Sequence, residues 1–204
     1  MNEGFCAVST CDYADALGRE QFMDFGISGV WRAVPRIAGP AYTVKCEAGD
    51  HLMLHAAIYR ASPGDIIVVE ADSTYALAGG NVCAIAQRRG IKGFVLDGTL
   101  RDVGEVRDMQ FPVYARGHIP KPGAKKRLSP LNEPITCGGV TVNPGDIIVA
   151  DEEGIAVLPK DFADEALRIA KARAEKDASM TLDEWEADHK AKVDAALAKL
   201  GWQA

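Results

Sequence analysis

Short apolar blocks, separated by glycine, proline and charged residues, fill roughly the first 160 positions of the chain. Blocks of this length bounded by turn residues predict buried strands. The strands predicted in this way cover residues 37–47, 63–72, 91–98 and 111–117, with several more, joined by tight turns, in 133–159. Apolar residues at helical spacing predict helices over residues 9–26, 50–61 and 80–89.

The pattern changes near residue 161, where alanine, glutamate, lysine and arginine become frequent and apolar residues recur at helical spacing. We therefore predict a main domain over residues 1–160 and a helical C-terminal extension over 161–204. The extension divides into two helices near Ser179. The second helix carries a narrow apolar stripe of Trp185, Val193, Leu197 and Leu200. Such a stripe packs either on another subunit or on the chain's own core, and the pattern alone leaves both open.

Composition and charge restrict the classes of partner. The 204 residues are 48% hydrophobic and 25% charged, with a net charge of −6, which is typical of a globular protein. The single basic cluster, residues 121–127, has no interleaved aromatics, so we expect a solvated loop and no nucleic-acid partner. No apolar stretch approaches the length of a membrane span, and the first residues do not resemble a secretory signal. A cytoplasmic protein with no membrane partner is expected, and five cysteines without a CxxC pair favour reduced thiols.

The stretch FVLDGTLRDVGE, residues 94–105, ends a predicted strand in a group of charged residues. The preceding helix is about 15 Å long at 1.5 Å per residue. The strand that follows it is about 17 Å long at 3.3 Å per residue and runs in the opposite direction. The matched lengths predict that Arg101 and Asp102 return to the backbone of the loop before the helix, residues 79–82.

The residue types brought together in this way suggest a binding site. A helix N-terminus preceded by glycines binds anions, and an arginine fork matches a carboxylate or an enolate oxygen. An adjacent carboxylate can hold Mg²⁺ or Mn²⁺, which take only one or two protein carboxylates. Together the parts describe a receptor for a small 2-oxo acid with a divalent metal acting as a Lewis acid. The same residues also suit a charged surface turn beside an ordinary glycine loop, so both interpretations stay open on physical grounds.

The spacing of these residues resembles the signature of the RraA-like superfamily: Gly80, twenty intervening residues, Arg101-Asp102, two residues, and Glu105. That superfamily includes divalent-metal-dependent 4-hydroxy-4-methyl-2-oxoglutarate/4-carboxy-4-hydroxy-2-oxoadipate aldolases and the protein regulator of ribonuclease E activity. Segments in the family's order extend the resemblance over roughly residues 10–175. It implies an α/β fold, a swivelling β/β/α sandwich with a C-terminal helical arm. It also implies a homotrimer or homohexamer with active sites at the clefts between subunits.

The resemblance further implies roles for individual residues. The backbone of Gly79, Gly80, Asn81 and Val82 would bind the carboxylate of pyruvate. Arg101 would contact the substrate and steady its enolate, Asp102 would anchor Mg²⁺ or another divalent metal, and Glu105 would lie in the outer shell of that metal. The implied reaction is retro-aldol cleavage of a 4-hydroxy-2-oxo acid that releases pyruvate, with oxaloacetate decarboxylation at the same site.

Two departures from the family pattern affect these expectations. Some of the family's aldolases carry an acid where this chain has Gly80, and they take a glutamate from a neighbour's C-terminal arm. Glu184 and Glu186 are the candidates for that role in this chain, and the resemblance does not choose between them. The alternative function is a non-catalytic regulator that inhibits an RNA-degrading enzyme by protein contact. Methyl transfer has no supporting S-adenosylmethionine motif.

Other chemically active residues receive structural interpretations. His51 and His55 have i, i+4 zinc-ligand spacing, but no third ligand lies nearby in sequence, so a core or subunit-interface role is expected. His118 and His189 have no partner in sequence. Asp97 is most simply a turn residue after its strand, and Cys46 and Cys83 are expected to be small core residues.

Overall fold

The computed structural model describes residues 2–202, so Met1, Gln203 and Ala204, which the predicted domain limits include, lie outside the described residues. Within this described range, nine strands form one sheet of seven and one of two. In chain order they are β1 (Ser28–Gly29), β2 (Ile37–Lys45), β3 (Ile66–Glu70), β4 (Gly93–Leu100), β5 (Val113–His118), β6 (Ile135–Cys137), β7 (Val140–Val142), β8 (Ile147–Ala150) and β9 (Ile155–Leu158).

The seven-stranded sheet has the order β1-β5-β4-β3-β2-β8-β9, and β6 and β7 pair with each other in the second sheet. Strands β2 to β5 are parallel, whereas β1, β8 and β9 join antiparallel. The segment Phe22–Gly29 nearly closes the sheet, because Phe22 bridges to Ala156 of β9 while its other end, β1, pairs with β5. The predicted α/β class is confirmed.

Six α-helices accompany the sheet between residues 2 and 202. They are α1 (Thr10–Tyr13), α2 (Leu52–Ala57), α3 (Gly80–Arg88), α4 (Val103–Asp108), α5 (Ala163–Ser179) and α6 (Leu182–Lys199). Helices α2, α3 and α4 are the crossovers between successive parallel strands, as parallel pairing requires. Helix α3 ends as predicted, because Gly90 adopts the left-handed conformation (φ +81°) that a glycine after a helix favours.

The central strands are buried on both faces, which explains their uninterrupted apolar sequence. In β3, Ile67 and Val69 pack against the crossover helices, whereas Ile66 and Val68 face the core shared with β6 to β9. A third cluster lies between the N-terminal segment, β8, β9 and α5. Cys46 and Cys83 are buried in the first cluster, as expected.

The helix predicted over residues 9–26 is wrong beyond its first turn. Ser9 caps α1 through a capping box with Asp12, as the local sequence favours, but the helix stops at Tyr13. A short 3₁₀ helix, Arg19–Gln21, follows Gly18. The chain then becomes extended because the Met23 N–H donates to the Ile155 carbonyl over 3.0 Å, so pairing with β9 overrides the helical pattern.

The turn predicted at Asp97 is also wrong, because β4 continues to Leu100. The Asp97 carboxylate forms an ion pair with Arg116 and accepts a hydrogen bond from the Gly138 N–H over 2.7 Å. Asp97 therefore links β4 to β5 and to the β6–β7 hairpin. The strand pairing between β4 and β5 shifts register at this position, between Leu96 and Thr99.

The C-terminal extension consists of two helices with the predicted boundary near Ser179. The inner face of α5 is buried on the main domain through Ala163, Ala166 and Ala170. In contrast, α6 has no buried residue among those that the structure describes, and Trp185 of the predicted stripe is 45% exposed. Packing of this arm on a neighbouring subunit remains a prediction. Within residues 2–202, no helix combines the length and apolar character needed to cross a bilayer.

Candidate active site

A cleft of about 340 Å³ opens where the loop before α3 meets the chain after β4. Its walls come from α2, from the loop between β3 and α3, from the turn after β4 and from the basic loop. The lining residues are His51, His55, Ala76, Leu77, Ala78, Gly79, Asn81, Val82, Arg101, Asp102 and Pro122. The cleft therefore contains most of the residues that the sequence singled out, namely Gly79, Asn81, Val82, Arg101 and Asp102, with Gly80 directly behind them.

Backbone hydrogen bonds hold the loop before α3 against the end of β4. The Leu77 N–H donates to the Thr99 carbonyl over 2.8 Å, and the Arg101 N–H donates to the Ala78 carbonyl over 3.0 Å. The two segments thus run side by side although about 20 residues separate them. The proximity predicted from element lengths is confirmed.

The Asp102 carboxylate lies directly on the glycine loop. Its Oδ2 atom accepts a hydrogen bond from the Gly80 N–H over 3.1 Å and lies 3.5 Å from Nε of Arg101. A side chain at Gly79 would overlap this carboxylate, since its ideal Cβ position coincides with the space that Oδ2 occupies. The glycine therefore makes the approach of the acid to the helix N-terminus possible.

Asp102 has a left-handed backbone (φ 60°, ψ 37°). Aspartate tolerates this region better than most residues, but the conformation still costs energy relative to glycine. Although Asp102 precedes α4, its side chain makes no capping hydrogen bond to that helix and is directed at Gly80 instead. A residue whose backbone is held in an unfavourable conformation, and whose carboxylate does not cap its own helix, is typical of a functional position.

Glu105 lies in the first turn of α4 and packs its side chain against Gly80. A Cβ at Gly80 would overlap the carboxylate of Glu105 and come within 3.2 Å of its Cβ atom. Two carboxylates, those of Asp102 and Glu105, thus flank one glycine. No group of three or more His, Cys, Asp or Glu residues that could hold an ion occurs among the described residues.

His51 and His55, which sequence reasoning assigned to the core or an interface, line the same cleft. Their rings stack with centroids 4.4 Å apart, and His51 Nδ1 and His55 Nε2 approach the carbonyls of Ala76 and Leu77 at 3.2 and 3.3 Å. Burial, followed by the neighbouring His51 and Lys125, lowers the pKa of His55 to about 4, so its ring is neutral at pH 7. The i, i+4 spacing of these two histidines in the sequence indicates that they share one face of a helix.

The basic loop closes one side of the cleft. Asp50 is buried and accepts hydrogen bonds from the backbone N–H groups of Lys126 (2.6 Å) and Arg127 (3.1 Å), while the lysine and arginine side chains of the loop stay exposed. Burial raises the pKa of Asp50, but the backbone hydrogen bonds from Leu52, Lys126 and Arg127 outweigh it and lower the pKa. Pro122 reaches the cleft because this loop is fixed to Asp50 and to Ala76.

Glu184 and Glu186, the two candidates expected to act from the arm of a neighbouring subunit, lie on α6, and their role in a neighbour's cleft stays a prediction. Glu184 closes the capping box of α6 with Thr181, and the bond to Thr181 lowers its pKa. Glu186 is exposed on the same helix. Neither belongs to the lining of the cleft within the described part of this chain.

Comparisons with known proteins identify relatives of this chain in sequence and in fold. A protein of Halalkalibacterium halodurans named "Putative 4-hydroxy-4-methyl-2-oxoglutarate aldolase" is 42% identical over 68% of this chain and 67% of its own. The crystal structure of Streptomyces coelicolor RraAS2, titled an unusual member of the RNase ES inhibitor RraA protein family, superposes with a TM-score of 0.75 at 26% identity, covering 87% of this chain and 94% of that one.

A structure from Pseudomonas syringae pv. tomato superposes with a TM-score of 0.78 over 91% of this chain and 92% of its own, at 24% identity. The fold expected from the sequence resemblance is thereby confirmed. Residues 10–157 match the RraA-like family, described as Aldolase/RraA. The chain therefore belongs to the RraA-like family.

Proposed function

We propose that this protein is a metal-dependent lyase that cleaves a 4-hydroxy-2-oxo acid by a retro-aldol reaction and releases pyruvate. Decarboxylation of oxaloacetate at the same site is part of the proposal. The observation that carries it is the contact of Arg101 and Asp102 with the glycine loop at the N-terminus of α3. The aldolase names of the relatives support the same reaction class.

The N-terminus of α3 provides the site for the substrate carboxylate. The first internal hydrogen bond of this helix comes from the Cys83 N–H, which donates to the Gly79 carbonyl over 3.0 Å. The N–H groups of Asn81 and Val82 precede that bond and are available to an anion, as first-turn N–H groups of a helix are. The absence of a side chain at Gly79 lets Asp102 and Arg101 approach this backbone closely, so both side chains lie beside the proposed carboxylate site.

Arg101 is placed to stabilise the charge that develops as the carbon–carbon bond breaks. Its side chain is 43% exposed and contacts Asp102 through Nε. A guanidinium carries five N–H donors, so most of them stay available to an enolate oxygen. Stabilising developing charge with a fixed donor is usually the largest catalytic contribution of a protein.

The residues present fit a divalent cation such as Mg²⁺. Asp102 and Glu105 supply hard oxygen donors on either side of Gly80, and Mg²⁺ usually needs one or two carboxylates because it retains several waters. Asp102 would hold the cation, and Glu105 would orient the surrounding waters. When bound, such a cation would polarise the keto oxygen of the substrate as a Lewis acid.

The proposal is tested by following pyruvate release with lactate dehydrogenase. Oxaloacetate and 4-hydroxy-4-methyl-2-oxoglutarate are each supplied to the purified protein, first with Mg²⁺, then with EDTA, then with Mg²⁺ or Mn²⁺ restored. We expect pyruvate that disappears with EDTA and returns with the metal. Absence of metal-dependent pyruvate from both compounds contradicts the proposal.

Two variants connect this activity to the cleft. Arg101→Ala and Asp102→Ala should each reduce turnover by about 10²-fold or more, the usual cost of losing one charge-stabilising group. Light scattering should show that their oligomeric state matches that of the wild type. Wild-type rates in both variants would show that the reaction takes place elsewhere.

A second candidate function is inhibition of an RNA-degrading enzyme by protein contact. It is favoured by the structural match to a member of the RNase ES inhibitor RraA family. The two functions differ in their need for the cleft. A regulator that acts through surface contact would retain its inhibition in Asp102→Ala, measured with a ribonuclease E-type enzyme and an RNA substrate, and would release no pyruvate.

A further inference from the structure

His51 lies at the N-terminal boundary of α2, in the wall of the cleft, and is only 8% exposed. Its backbone position is fixed, because the His51 N–H donates to the Ala124 carbonyl over 2.9 Å. The proposed retro-aldol reaction requires a base that removes the proton of the 4-hydroxyl group. Arg101 is a cation, and Asp102 and Glu105 are assigned to the metal, so this role falls to another residue of the cleft.

The contact of His51 with Ala76 determines which ring nitrogen carries the hydrogen. The Nδ1 atom of His51 lies 3.2 Å from the carbonyl oxygen of Ala76. A carbonyl oxygen can only accept a hydrogen bond, so Nδ1 carries the hydrogen and donates it. In the neutral ring, Nε2 then has a free lone pair and can accept a proton from a substrate.

The Nε2 atom of His51 faces the cleft. It makes no hydrogen bond to any residue between 2 and 202. Over the same range, no buried side-chain nitrogen or oxygen atom lacks a hydrogen-bond partner. The unpartnered Nε2 must therefore reach open space, and the open space beside His51 is the cleft. Although nine-tenths of this residue is buried, its basic atom is directed into the cavity that Arg101 and Asp102 also line.

The neighbouring ring does not oppose a positive charge on His51. His55 stacks on His51 with ring centroids 4.4 Å apart, and its own Nε2 atom lies 3.3 Å from the Leu77 carbonyl. Burial, followed by the nearby His51 and Lys125, lowers the pKa of His55 to about 4. At pH 7 His55 is therefore uncharged, and His51 is the ring of the pair that can take up a proton.

We propose that His51 is the catalytic base of the cleft and that its Nε2 atom removes the proton of the 4-hydroxyl group. The inference rests on the proposed function for the reaction. As Nε2 takes the proton, the bond from C4 to its oxygen becomes a carbonyl and the C3–C4 bond breaks. The electron pair of that bond forms the enolate of pyruvate. The protonated ring then returns its proton to C3, which gives pyruvate and restores the neutral histidine.

The two reactions of the proposed function differ in their need for this base. Oxaloacetate loses carbon dioxide without a hydroxyl proton to remove, and water supplies the proton that its enolate takes up. A general base typically contributes about 10²–10⁴-fold to a rate. Loss of His51 should therefore slow the retro-aldol reaction much more than the decarboxylation.

Two variants remove the base and leave an amide in its place. His51→Asn keeps an N–H donor near the position of Nδ1, so the bond to Ala76 can persist, whereas His51→Gln extends toward the position of Nε2. Neither amide takes up a proton at pH 7. For each variant we expect kcat for 4-hydroxy-4-methyl-2-oxoglutarate to fall about 10²-fold or more, with KM within about threefold, and kcat for oxaloacetate to fall less than about fivefold.

His55→Gln is the matched control, because it changes the stacked ring in the same cleft and its amide can keep the bond to Leu77. Its two rates should change by the same factor. Thermal melting of all three variants shows whether they fold like the wild type.

A second measurement needs no hydroxy acid. Proton NMR follows the exchange of the methyl protons of pyruvate with D₂O in the presence of Mg²⁺. Removal of a methyl proton is the reverse of the step in which His51 returns its proton to C3. We expect the wild type to catalyse this exchange and His51→Asn to slow it about 10²-fold or more.

An equal loss of both reactions in His51→Asn and His51→Gln, or exchange at the wild-type rate in either, would overturn the inference. Failure of the proposed function gives a different result, namely no pyruvate from either substrate in the wild type. In that case the exchange measurement still decides whether His51 acts as a base at C3, and a wild type without exchange contradicts the inference as well.

Discussion

The backbone N–H of Gly80 donates a hydrogen bond to the Asp102 carboxylate over 3.1 Å, across 22 residues of sequence. This bond joins the N-terminus of one crossover helix to the turn that starts the next. It uses the side chain of Asp102, which would otherwise be free to cap α4, and it requires a glycine on the opposing loop. The candidate site is therefore built from the meeting of two adjacent strand ends rather than from either segment alone.

The space at Gly80 predicts the effect of adding one methyl group. In Gly80→Ala, the new Cβ would occupy the position of the Glu105 carboxylate, which must rotate away. Groups that orient a metal typically contribute 10–100-fold in affinity. We therefore expect the Mg²⁺ concentration needed for half-maximal pyruvate release to rise at least about tenfold, while thermal stability is retained because alanine favours a helix over glycine.

Gly104→Ala is the control for this change. It adds the same methyl group near the same acid, but the nearest heavy atom to its ideal Cβ, from the side chain of Arg107, is 3.9 Å away. Its Mg²⁺ dependence should match that of the wild type. An unchanged Mg²⁺ dependence in Gly80→Ala would show that the position of Glu105 does not matter for the metal.

Because Asp102 has a left-handed backbone, two substitutions at this position should differ in their effect on stability but not in their effect on activity. Asp102→Gly and Asp102→Ala both remove the carboxylate, so both should abolish most pyruvate release. Glycine adopts the observed φ of 60° freely, whereas alanine retains a cost of about 1 kcal/mol. For a chain of this size that difference corresponds to a melting temperature about 2–4 °C higher for Asp102→Gly, measurable by differential scanning calorimetry. Equal melting temperatures would contradict the assigned strain.

The sequence predicts this part of the fold well because its signals are local. The apolar runs of β3 and β4 and the glycines around α3 determine the element lengths, and these place Arg101 and Asp102 beside Gly79 and Gly80. No long-range information is needed beyond the rule that parallel strands require a crossover.

The incorrect predictions arise where contacts between residues far apart in sequence determine the local structure. The segment after Tyr13 has a helical pattern but pairs with β9, and Asp97 looks like a turn residue because its partner, Arg116, lies on another strand. The placement of His55 in the cleft depends in the same way on the loop between β3 and α3 folding over α2. The local pattern of apolar residues cannot predict such contacts.

The lowered pKa of His55 predicts a dependence of stability on pH. Its folded value of about 4 lies below the ordinary value of 6.5, so the unfolded chain binds the proton more readily. The stabilisation from this group is complete above pH 6.5 and is lost as the pH falls to 4, by at most about 3 kcal/mol. In His55→Gln this contribution is absent, so the stability difference from the wild type should shrink as the pH falls from 7 to 4.

Urea unfolding at pH 7, 5.5 and 4 measures this difference. His189→Gln is the control, since His189 is exposed on α6 and stacks only on Trp185 among the described aromatic rings. The change with pH in His55→Gln is read after subtraction of any change seen in His189→Gln. A constant difference for His55→Gln would mean that His55 titrates alike in the folded and unfolded chains.

The exposed apolar surface of α6 predicts that the helix is covered by a second copy of the chain. Leu182 is 78% exposed and Leu200 is 84% exposed, and α6 buries none of its described residues on the main domain. Deleting residues 181–204 removes α6 with its capping residue Thr181 and leaves the buried alanines of α5 in place. We expect light scattering to show a trimer or hexamer for the full chain and a smaller species for the shortened chain. The circular dichroism spectrum of the shortened chain should differ from that of the full chain only by the helical signal of α6.

Single substitutions then test whether the arm of one subunit completes the cleft of another. Glu184→Gln and Glu186→Gln each remove one negative charge from an exposed position of α6 and should leave the oligomer intact. If the arm contributes an acid to the neighbouring site, one of the two variants should lose at least about tenfold in pyruvate release while the other keeps the wild-type rate. Wild-type rates in both, with a wild-type oligomer, would confine the catalytic acids to the cleft at Asp102 and Glu105.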